Sequence, residues 1–439
     1  MIPSIEELVD KATSLTGLTD FGDDDYSDGL AALHASFAAD AGLTEAGQKA
    51  ARGMLRGALM ARLLSEAGFA QYPSYADVPV QRPVFVTGLP RTGTTFLHRL
   101  LVADPGHQGL EMWLAEAPQP RPPRSEWDAN PAYQYIAAGV ARHQAAHPAF
   151  GAVHEVGADQ VEECWQLLRQ SFRSVSYECL YHLPSYSSWL SGQDWVRPYR
   201  RHRRNLQLLG LHEAGKRWVL KNPSHLFTLD ALMTVYPDAL VIVTHRPPRT
   251  AIASMCSLAA QASAGWSAVF EGPVIGRDQL DTWARGLSLF NAARSRYPAA
   301  RFYDVAYDDL VASPLDIVAK VYERLDVPLS GAAADAMREL VPGRTAGEPR
   351  PAHRYTLADF GLTGEEIDER FADYRHYDQA HARLSRPAEL LAARPGAPPR
   401  LTAPRFPVSR LPAQRDRCRH RAGRCRCTRL IVILIIARW

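Results

Sequence analysis

The chain has 439 residues, with 50 lysines and arginines against 47 acidic residues and a formal net charge of +3. This length suffices for one large α/β core with peripheral helices. Three features predict a cytoplasmic protein and not a secreted or membrane-spanning one. The N-terminus is acidic and lacks the apolar core of a signal peptide, and no run approaches the ~18 apolar residues that span a bilayer. The three cysteines in the body are widely spaced and fit buried thiols in a reducing compartment.

Residues 1–75 are predicted to form an N-terminal helical region. Within residues 28–70, apolar positions recur at helical spacing, as one buried face requires. These positions are Leu30, Leu33, Phe37, Met54, Leu55, Leu59, Leu63 and Leu64. The region is interpreted as a cap over the core, held there by simple packing or by contact with the binding site or a second subunit.

Residues 84–97 predict a buried strand, a glycine-punctuated turn and a helix. The frame is G-x-x-x-x-G-T-T, from Gly88 to Thr95, one residue away from the loop G-x-x-x-x-G-K-[ST] of nucleoside triphosphatases. Thr94 occupies the position of the lysine that contacts the β- and γ-phosphates. The glycines and the following helix favour anion binding. This loop therefore predicts a ligand with phosphate but without a triphosphate, and the alternative is an ordinary strand-turn-helix corner.

Residues 160–215 are predicted to be largely helical and rich in aromatic side chains. Their position before the next strand is typical of a pocket wall, with core packing as the alternative. The aromatic residues are Trp165, Phe172, Tyr177, Tyr181, Tyr186, Trp189, Trp195 and Tyr199. Glu162 and Glu163 are interpreted as helix-surface charges or partners for Arg169.

A second strand, residues 239–244, is followed by His245 and Arg246 and then by a predicted helix over 250–260. A triphosphate enzyme often has a magnesium-binding aspartate at this point. Cationic residues here indicate a second phosphate group instead, and Ser254 on the helix can reach the same anion. The alternatives are a surface ion pair for Arg246 and a helix-capping role for Ser254.

These motifs resemble those of the sulfotransferases that use 3′-phosphoadenosine 5′-phosphosulfate, particularly the bacterial branch. Residues 90–95 match the family loop P-R-[ST]-G-T-T, and residues 218–226 and 303–310 resemble two further family segments. The resemblance covers residues 82–380. It implies a P-loop NTPase-like three-layer α/β/α fold with a central, mostly parallel sheet, plus N-terminal and inserted helices, in a domain at 82–385.

The resemblance also implies the residues that bind the nucleotide. They are Arg91, Thr92, Gly93, Thr94, Thr95, Arg246, Ser254, Tyr307, His353 and Arg354. The phosphosulfate is the co-substrate, 3′-phosphoadenosine 5′-phosphate is the product, and no metal is implied. The acceptor is expected to be a hydroxyl or amine of a small molecule, lipid or glycan; no nucleic-acid partner is expected, and a homodimer is possible.

Sulfuryl transfer requires a cation near the leaving oxygen and a base for the acceptor proton. The resemblance gives the first role to Lys221. For the base, Glu111 is favoured by the resemblance and His154 by its chemistry, since a histidine titrates near neutral pH. Glu155 lies beside His154. Many relatives have a glutamate where this chain has Leu114, and the choice of base stays open.

Two other functions are compatible with the motifs: a small-molecule kinase of the P-loop superfamily, and a non-catalytic nucleotide-binding protein on the same fold. Thr94 and the pair His245 and Arg246 disfavour the kinase.

The C-terminal tail, residues 387–439, has twelve arginines, seven prolines and only two acidic residues. This composition predicts disorder. The tail is interpreted as an arm for nucleic acid or anionic membrane, as a zinc site at Cys418, His420, Cys425 and Cys427, or as the product of a shifted reading frame. The last is favoured, and no function is assigned to the tail.

Overall fold

Five parallel strands form the sheet in the computed structural model, which describes residues 2–146, 157–341 and 355–374. The strands are β1 (Val84–Gly88), β2 (His107–Gln108), β3 (Arg217–Lys221), β4 (Leu240–His245) and β5 (Phe302–Ala306). Their order across the sheet is β2-β3-β1-β4-β5, and each neighbouring pair is parallel. All five therefore end at one edge, where open α/β sheets bind their ligands.

Helices surround this sheet. They are α1 (Ile5–Thr16), α2 (Ser27–Ala39), α3 (Glu45–Gln71), α4 (Thr94–Val102), α5 (Met112–Glu116), α6 (Pro131–Ala146), α7 (Trp165–Leu168), α8 (Pro184–Ser191), α9 (Val196–Leu209), α10 (Leu229–Val235), α11 (Pro248–Ala262), α12 (Gly272–Arg294), α13 (Tyr307–Ala312), α14 (Pro314–Leu325), α15 (Gly331–Leu340) and α16 (Gly364–Arg370). Short 3₁₀ turns occupy Pro73–Asp77, Arg124–Ala129, Arg169–Ser171, Pro223–Phe227, Ala299–Arg301, Ala358–Phe360 and Ala372–Tyr374. Within the described ranges, none of the helices combines the length and apolar character that crossing a bilayer requires.

The central strand β1 is buried on both faces. Val84 and Val86 belong to a hydrophobic cluster with α4, α14 and α15, whereas Phe85 belongs to a cluster with α9, α10, α11 and α12. The alternation follows from the strand geometry, because successive side chains point to opposite faces. The predicted fold, a parallel sheet between two layers of helices, is confirmed.

The N-terminal helices form a third hydrophobic cluster with residues 172–190 of the inserted segment. Its polar centre is Arg62 of α3, whose side chain is fully buried. Arg62 Nε donates to the carbonyl oxygen of Phe21 at 2.6 Å and Nη1 to that of Gln170 at 3.1 Å, and Nη2 pairs with Asp25 at 2.5 Å. A buried charge requires such partners, so Arg62 fixes three chain segments relative to one another.

The predicted helices over residues 28–70 are confirmed by α2 and α3. The division of the chain at residues 75 and 385 stays a prediction, and the tail from residue 387 lies outside the described residues.

Helix α3 packs closely against the loop that follows α11. At its start, the Thr44 amide donates to the carbonyl oxygen of Trp266 at 3.0 Å, and the Thr44 hydroxyl donates to that of Gly265 at 2.6 Å. Gly47 makes this approach possible, because an added Cβ atom would lie 1.8 Å from the Trp266 oxygen. Only glycine fits here without moving the loop or the helix.

We therefore expect Gly47→Ala to lower the free energy of unfolding by about 1–3 kcal/mol, since one backbone must shift away from the other. Gly53→Ala, on the same helix, is the matched control, because a Cβ atom there meets nothing within 4 Å. The Gly53→Ala variant should have the free energy of unfolding of wild type or one that is higher by up to about 1 kcal/mol. Urea denaturation of both variants measures the difference; equal effects would contradict the close packing at Gly47.

Candidate active site

The loop between β1 and α4 has an unusual backbone conformation. Arg91 has a φ angle of +68° and Gly93 one of +92°, both in the left-handed region. An added Cβ atom on Gly93 would lie 3.0 Å from Leu310 and 3.2 Å from the ring of Tyr307. Glycine is therefore required for both conformation and space. It brings the start of α4, at Thr94, next to Tyr307.

The threonines of this loop have different roles. Thr92 is fully buried, and its hydroxyl lies 2.6 Å from the carbonyl oxygen of Leu89 and 2.6 Å from the hydroxyl of Thr244 on β4. Its side chain therefore holds the loop against the sheet and does not line the cavity described below. Thr94 and Thr95 do line it.

Residues from three distant parts of the sequence meet at the sheet edge. Arg91 Nε donates to the hydroxyl of Ser254 on α11 at 3.1 Å. Arg246 Nη1 donates to the carbonyl oxygen of Arg91 at 3.1 Å, and the Arg246 guanidinium lies 4.2 Å from the ring centroid of Tyr307. The structure thus brings together Arg91, Arg246, Ser254 and Tyr307, which the sequence assigned to one nucleotide.

This part of the site has surplus positive charge. Burial lowers the pKa of Arg91, and the nearby Arg246 lowers it further, while Tyr355 and Tyr307 oppose the shift. The two guanidinium groups repel each other, and a bound anion would relieve that repulsion. Tyr355 was not predicted from the sequence; it directly follows His353 and Arg354, which lie outside the described residues.

Lys221 is buried at the tip of β3, with 1% of its surface exposed. Its Nζ atom lies 2.5 Å from Oε1 of Glu163 and 3.3 Å from Oγ1 of Thr95 in the loop. The Glu163 side chain is 20% exposed and lines the cavity. Lys221, Glu163 and Thr95 therefore form a polar cluster beside the phosphate-type loop.

The interpretation of Glu162 and Glu163 as helix-surface charges is wrong. Both precede α7 and line the cavity. Burial raises the pKa of the Glu162 carboxyl, and Lys221 opposes that shift. The sequence could not reveal this, because the partner of these acids is on a strand more than fifty residues later. The alternative, an association of Glu162 with Arg169, agrees with the electrostatic interaction between them.

Glu111 has a different environment from the one expected of a base. Its carboxylate pairs with Arg121 at 2.8 Å, and Arg121 also pairs with Glu213 at 2.7 Å. Burial raises the pKa of Glu111, and Arg121 opposes that shift. Glu111 is not among the described residues that line the cavity. His154 and Glu155 lie outside the described residues.

A cavity of about 700 Å³ lies between the phosphate-type loop and the inserted segment. Its polar end is formed by the residues above. The remaining wall is mainly apolar and is formed by Phe96, Met112, Trp165, Cys179, Leu180, Met255, Leu258, Ala259, Ala262, Trp266 and Trp283. Of the aromatic residues that the sequence offered as a pocket wall, only Trp165 is in this set; the buried Tyr177, Tyr181 and Tyr186 pack in hydrophobic clusters.

Among the residues that the structure describes, no group of three or more histidine, cysteine or acidic side chains is placed to hold a metal ion.

The end of β4 is fixed by an ion-pair network. Asp304 on β5 accepts from His245 Nε2 at 2.7 Å and pairs with Arg294 Nη2 at 2.6 Å. Burial raises the pKa of Asp304, but the hydrogen bonds from Arg294 and His245 outweigh it and lower the pKa well below its usual range. The Tyr374 hydroxyl accepts a hydrogen bond from the amide of Arg246 at 3.1 Å. These contacts hold Arg246 at the sheet edge.

Comparisons with known proteins agree on the kind of protein to which this geometry belongs. A family model described as "Sulfotransferase family" matches residues 83–331. The crystal structure of sulfotransferase STF1 from Mycobacterium tuberculosis H37Rv is 56% identical, covers 85% of this chain and 99% of its own, and gives a TM-score of 0.79. The structure of sulfotransferase STF9 from Mycobacterium avium is 27% identical, covers 86% and 97%, and gives 0.74.

A curated relative is the omega-hydroxy-beta-dihydromenaquinone-9 sulfotransferase Stf3 of Mycobacterium tuberculosis (strain CDC 1551 / Oshkosh). It is 26% identical over 253 residues, which are 55% of this chain and 62% of Stf3. The chain therefore matches less than two thirds of the length of that relative.

We expect Asp304→Asn to lower the free energy of unfolding by about 1.5–3 kcal/mol at pH 7, because His245 and Arg294 lose their anionic partner. The folded-state pKa of Asp304 is depressed, so its contribution is complete above about pH 4 and declines as the pH falls below that value. The difference between wild type and variant should decline likewise in urea denaturation from pH 7 to pH 3.

Asp230→Asn is the control, because Asp230 pairs with Arg296 on the surface with about half of each side chain exposed. A pair of that kind contributes about 0–1 kcal/mol. Equal losses of unfolding free energy in the two variants would show that the network around Asp304 stabilises the fold no more than a surface ion pair does.

Proposed function

Because this chain belongs to the sulfotransferase family, we propose that it transfers a sulfuryl group from 3′-phosphoadenosine 5′-phosphosulfate to a hydroxyl group of an apolar small molecule or lipid. The observation that carries the proposal is the contact of Lys221 with both Glu163 and Thr95 at the edge of the cavity. It combines a cation and a candidate base beside a phosphate-type loop.

The residues that meet at the sheet edge fit a nucleotide with two separate phosphate groups. Gly93 and Thr94 line the cavity at the start of α4, where the first amides of a helix attract an anion. Arg91 and Arg246 provide charge, and Ser254 and Tyr307 contact these arginines. When bound, the nucleotide would supply the sulfuryl group: the bond between sulfur and the bridging oxygen breaks, and the 5′-phosphate stays on the nucleotide product. His353 and Arg354, adjacent to Tyr355, stay candidates for binding the same nucleotide.

Lys221 and Glu163 have complementary roles in this proposal. The carboxylate of Glu163 accepts the proton of the acceptor hydroxyl, which makes that oxygen a better nucleophile. Protonation removes the negative charge that holds Lys221, so Nζ becomes free to donate where negative charge develops on the leaving oxygen. Proton uptake and charge stabilisation are thereby linked through one ion pair.

Glu163 replaces Glu111 as the acidic candidate for the base, because it lines the cavity and Glu111 is held by Arg121. His154 stays an alternative.

The cavity wall supports an apolar acceptor. Seven tryptophan, leucine and methionine side chains line it, and pockets with such apolar walls bind ligands mainly by burying apolar surface. The name of the relative Stf3 states that it acts on a hydroxylated dihydromenaquinone, an apolar lipid, and we extend that acceptor class to this chain. The described cysteines are free thiols, which suits action in the reducing cytoplasm.

The donor is tested by thermal denaturation with 3′-phosphoadenosine 5′-phosphate without magnesium and with ATP plus magnesium. We expect the first nucleotide to raise the melting temperature and ATP to have little effect, since ligand binding to the folded state stabilises it. Gly93→Ala should reduce the shift, because alanine rarely adopts a φ of +92° and its Cβ atom would lie 3.2 Å from the ring of Tyr307. Stabilisation by ATP with magnesium alone would favour the kinase and contradict the proposal.

The base is tested by Glu163→Gln, which keeps the shape of the side chain and removes its basicity. We expect the rate of sulfate transfer to fall by about 10²–10⁴-fold with the affinity for 3′-phosphoadenosine 5′-phosphate within a few-fold of wild type. Lys221→Met should lower the rate by about 10²–10³-fold. Labelled donor and a panel of phenols, sterols and long-chain alcohols provide the assay.

Glu111→Gln discriminates between the two acids. A large rate loss in Glu111→Gln with little change in Glu163→Gln would show that the base assignment is wrong. Nucleotide binding without transfer to any acceptor of the panel would instead support a non-catalytic binding protein.

A further inference from the structure

One cation of the cavity has no role in the proposed transfer. Arg169 lines the cavity wall and is buried, with 7% of its surface exposed. Its guanidinium carbon lies 3.5 Å from the ring centroid of Trp165 and 5.1 Å from that of Tyr177. Stacking between aromatic rings fixes the orientation of the guanidinium plane. An arginine held in this way is a preorganised group in a wall that is otherwise mainly apolar.

The hydrogen-bonding capacity of Arg169 is only partly used. Nε donates to the hydroxyl of Ser176 at 3.0 Å. Nη2 is shielded from solvent and has no hydrogen-bond partner among the described residues. A buried donor without a partner is costly, and charged donors more so. A ligand oxygen in the cavity would reach the guanidinium at Nη1, which makes no hydrogen bond among the described residues and, unlike Nη2, is not fully shielded from solvent.

The charges around Arg169 indicate which kind of ligand oxygen would bind there. Glu116 and Glu162 both interact electrostatically with Arg169 and oppose the lowering of its pKa by burial. Two carboxyl groups therefore act on Arg169 from nearby, although no salt bridge joins them to it among the described residues, whereas Arg91 lies beside another guanidinium, that of Arg246. An anionic ligand group would be repelled by the two carboxyl groups, whereas a neutral carbonyl or hydroxyl oxygen needs only a donor.

We propose that Arg169 binds a second, neutral oxygen of the acceptor, a ketone or quinone carbonyl or a hydroxyl, distinct from the hydroxyl that is sulfated. The acceptor is then an apolar molecule held at two points, with its reacting hydroxyl at Glu163 and its second oxygen at Arg169. This inference rests on the proposed function for the identity of the cavity as the acceptor site. It makes Arg169 a determinant of acceptor specificity.

The test uses dodecan-1-ol and a series of hydroxydodecanones that carry one ketone at successive positions along the same chain. For each alcohol, kcat/KM is measured with the sulfate donor, and the dissociation constant is measured by calorimetry with protein saturated in 3′-phosphoadenosine 5′-phosphate. We expect at least one ketone position to be preferred over dodecan-1-ol by about tenfold or more, as a hydrogen bond to a charged group provides. The absence of preference at every position would overturn the inference.

Arg169→Met keeps much of the apolar stem and removes the donors, so the preference ratio should fall to about one. Arg169→Lys retains the charge beside Glu116 and Glu162 and should fold even if Arg169→Met does not; its ratio should also fall, because an ammonium lacks the planar fork. The control is Arg173→Met, since Arg173 stacks on Trp189 in the same segment without lining the cavity. Its ratio should equal that of wild type.

The outcomes separate this inference from the proposed function. A preference that survives in both Arg169 variants would show that Arg169 is only a structural counterion and would overturn the inference. Sulfate transfer without any ketone preference would contradict the subsite and leave the sulfotransferase proposal intact. Ketone-selective binding that vanishes in the Arg169 variants, without transfer to any alcohol, would support the subsite and contradict the sulfotransferase proposal.

Discussion

The buried charge of Lys221 is the constraint around which the site is organised. A lysine at the tip of an interior strand is stable only with an anionic partner, and breaking such a pair is strongly destabilising. The register of the sheet places Lys221 beside Val86, two residues before the phosphate-type loop. The amide of Cys164 donates to the carbonyl oxygen of Lys221 at 3.0 Å, which fixes the preceding residue, Glu163, next to the ammonium group. Strand, loop and inserted segment are thus joined at one ion pair.

The sheet topology explains why residues so far apart in sequence meet. The strands β1, β4 and β5 are adjacent and parallel, so their carboxyl ends place Arg91, Arg246 and Tyr307 side by side. The positive charge concentrates at this end of the cavity, whereas two carboxyl groups act on Arg169 from nearby. One cavity therefore contains a region suited to anions and a region that we assign to neutral oxygens.

The sequence predicted the local features well because each depends on a local rule. The buried strand β1, the glycine at position 93 and the helix after it follow from residue types within a few positions. Arg246 and Ser254 follow from a strand end and the next helix. The partners of Lys221 and Glu111 could not be predicted in this way. Glu163 and Arg121 belong to segments whose placement depends on tertiary packing. Neither the local periodicity nor the spacing of charges in the sequence indicates which acidic side chain pairs with which basic one.

The contact between α3 and the loop at Trp266 connects the N-terminal helices to the wall of the cavity. The described lining residues of the cavity all lie at residue 90 or later, yet Trp266 is positioned by backbone contacts from Thr44 and by the absence of a side chain at Gly47. The segment that the family model matches, residues 83–331, omits this support as well as Tyr355 and Tyr374. Part of the cavity wall is consequently shaped by residues outside the matched segment, so we expect changes in the first seventy residues to alter the shape of the cavity without contacting it.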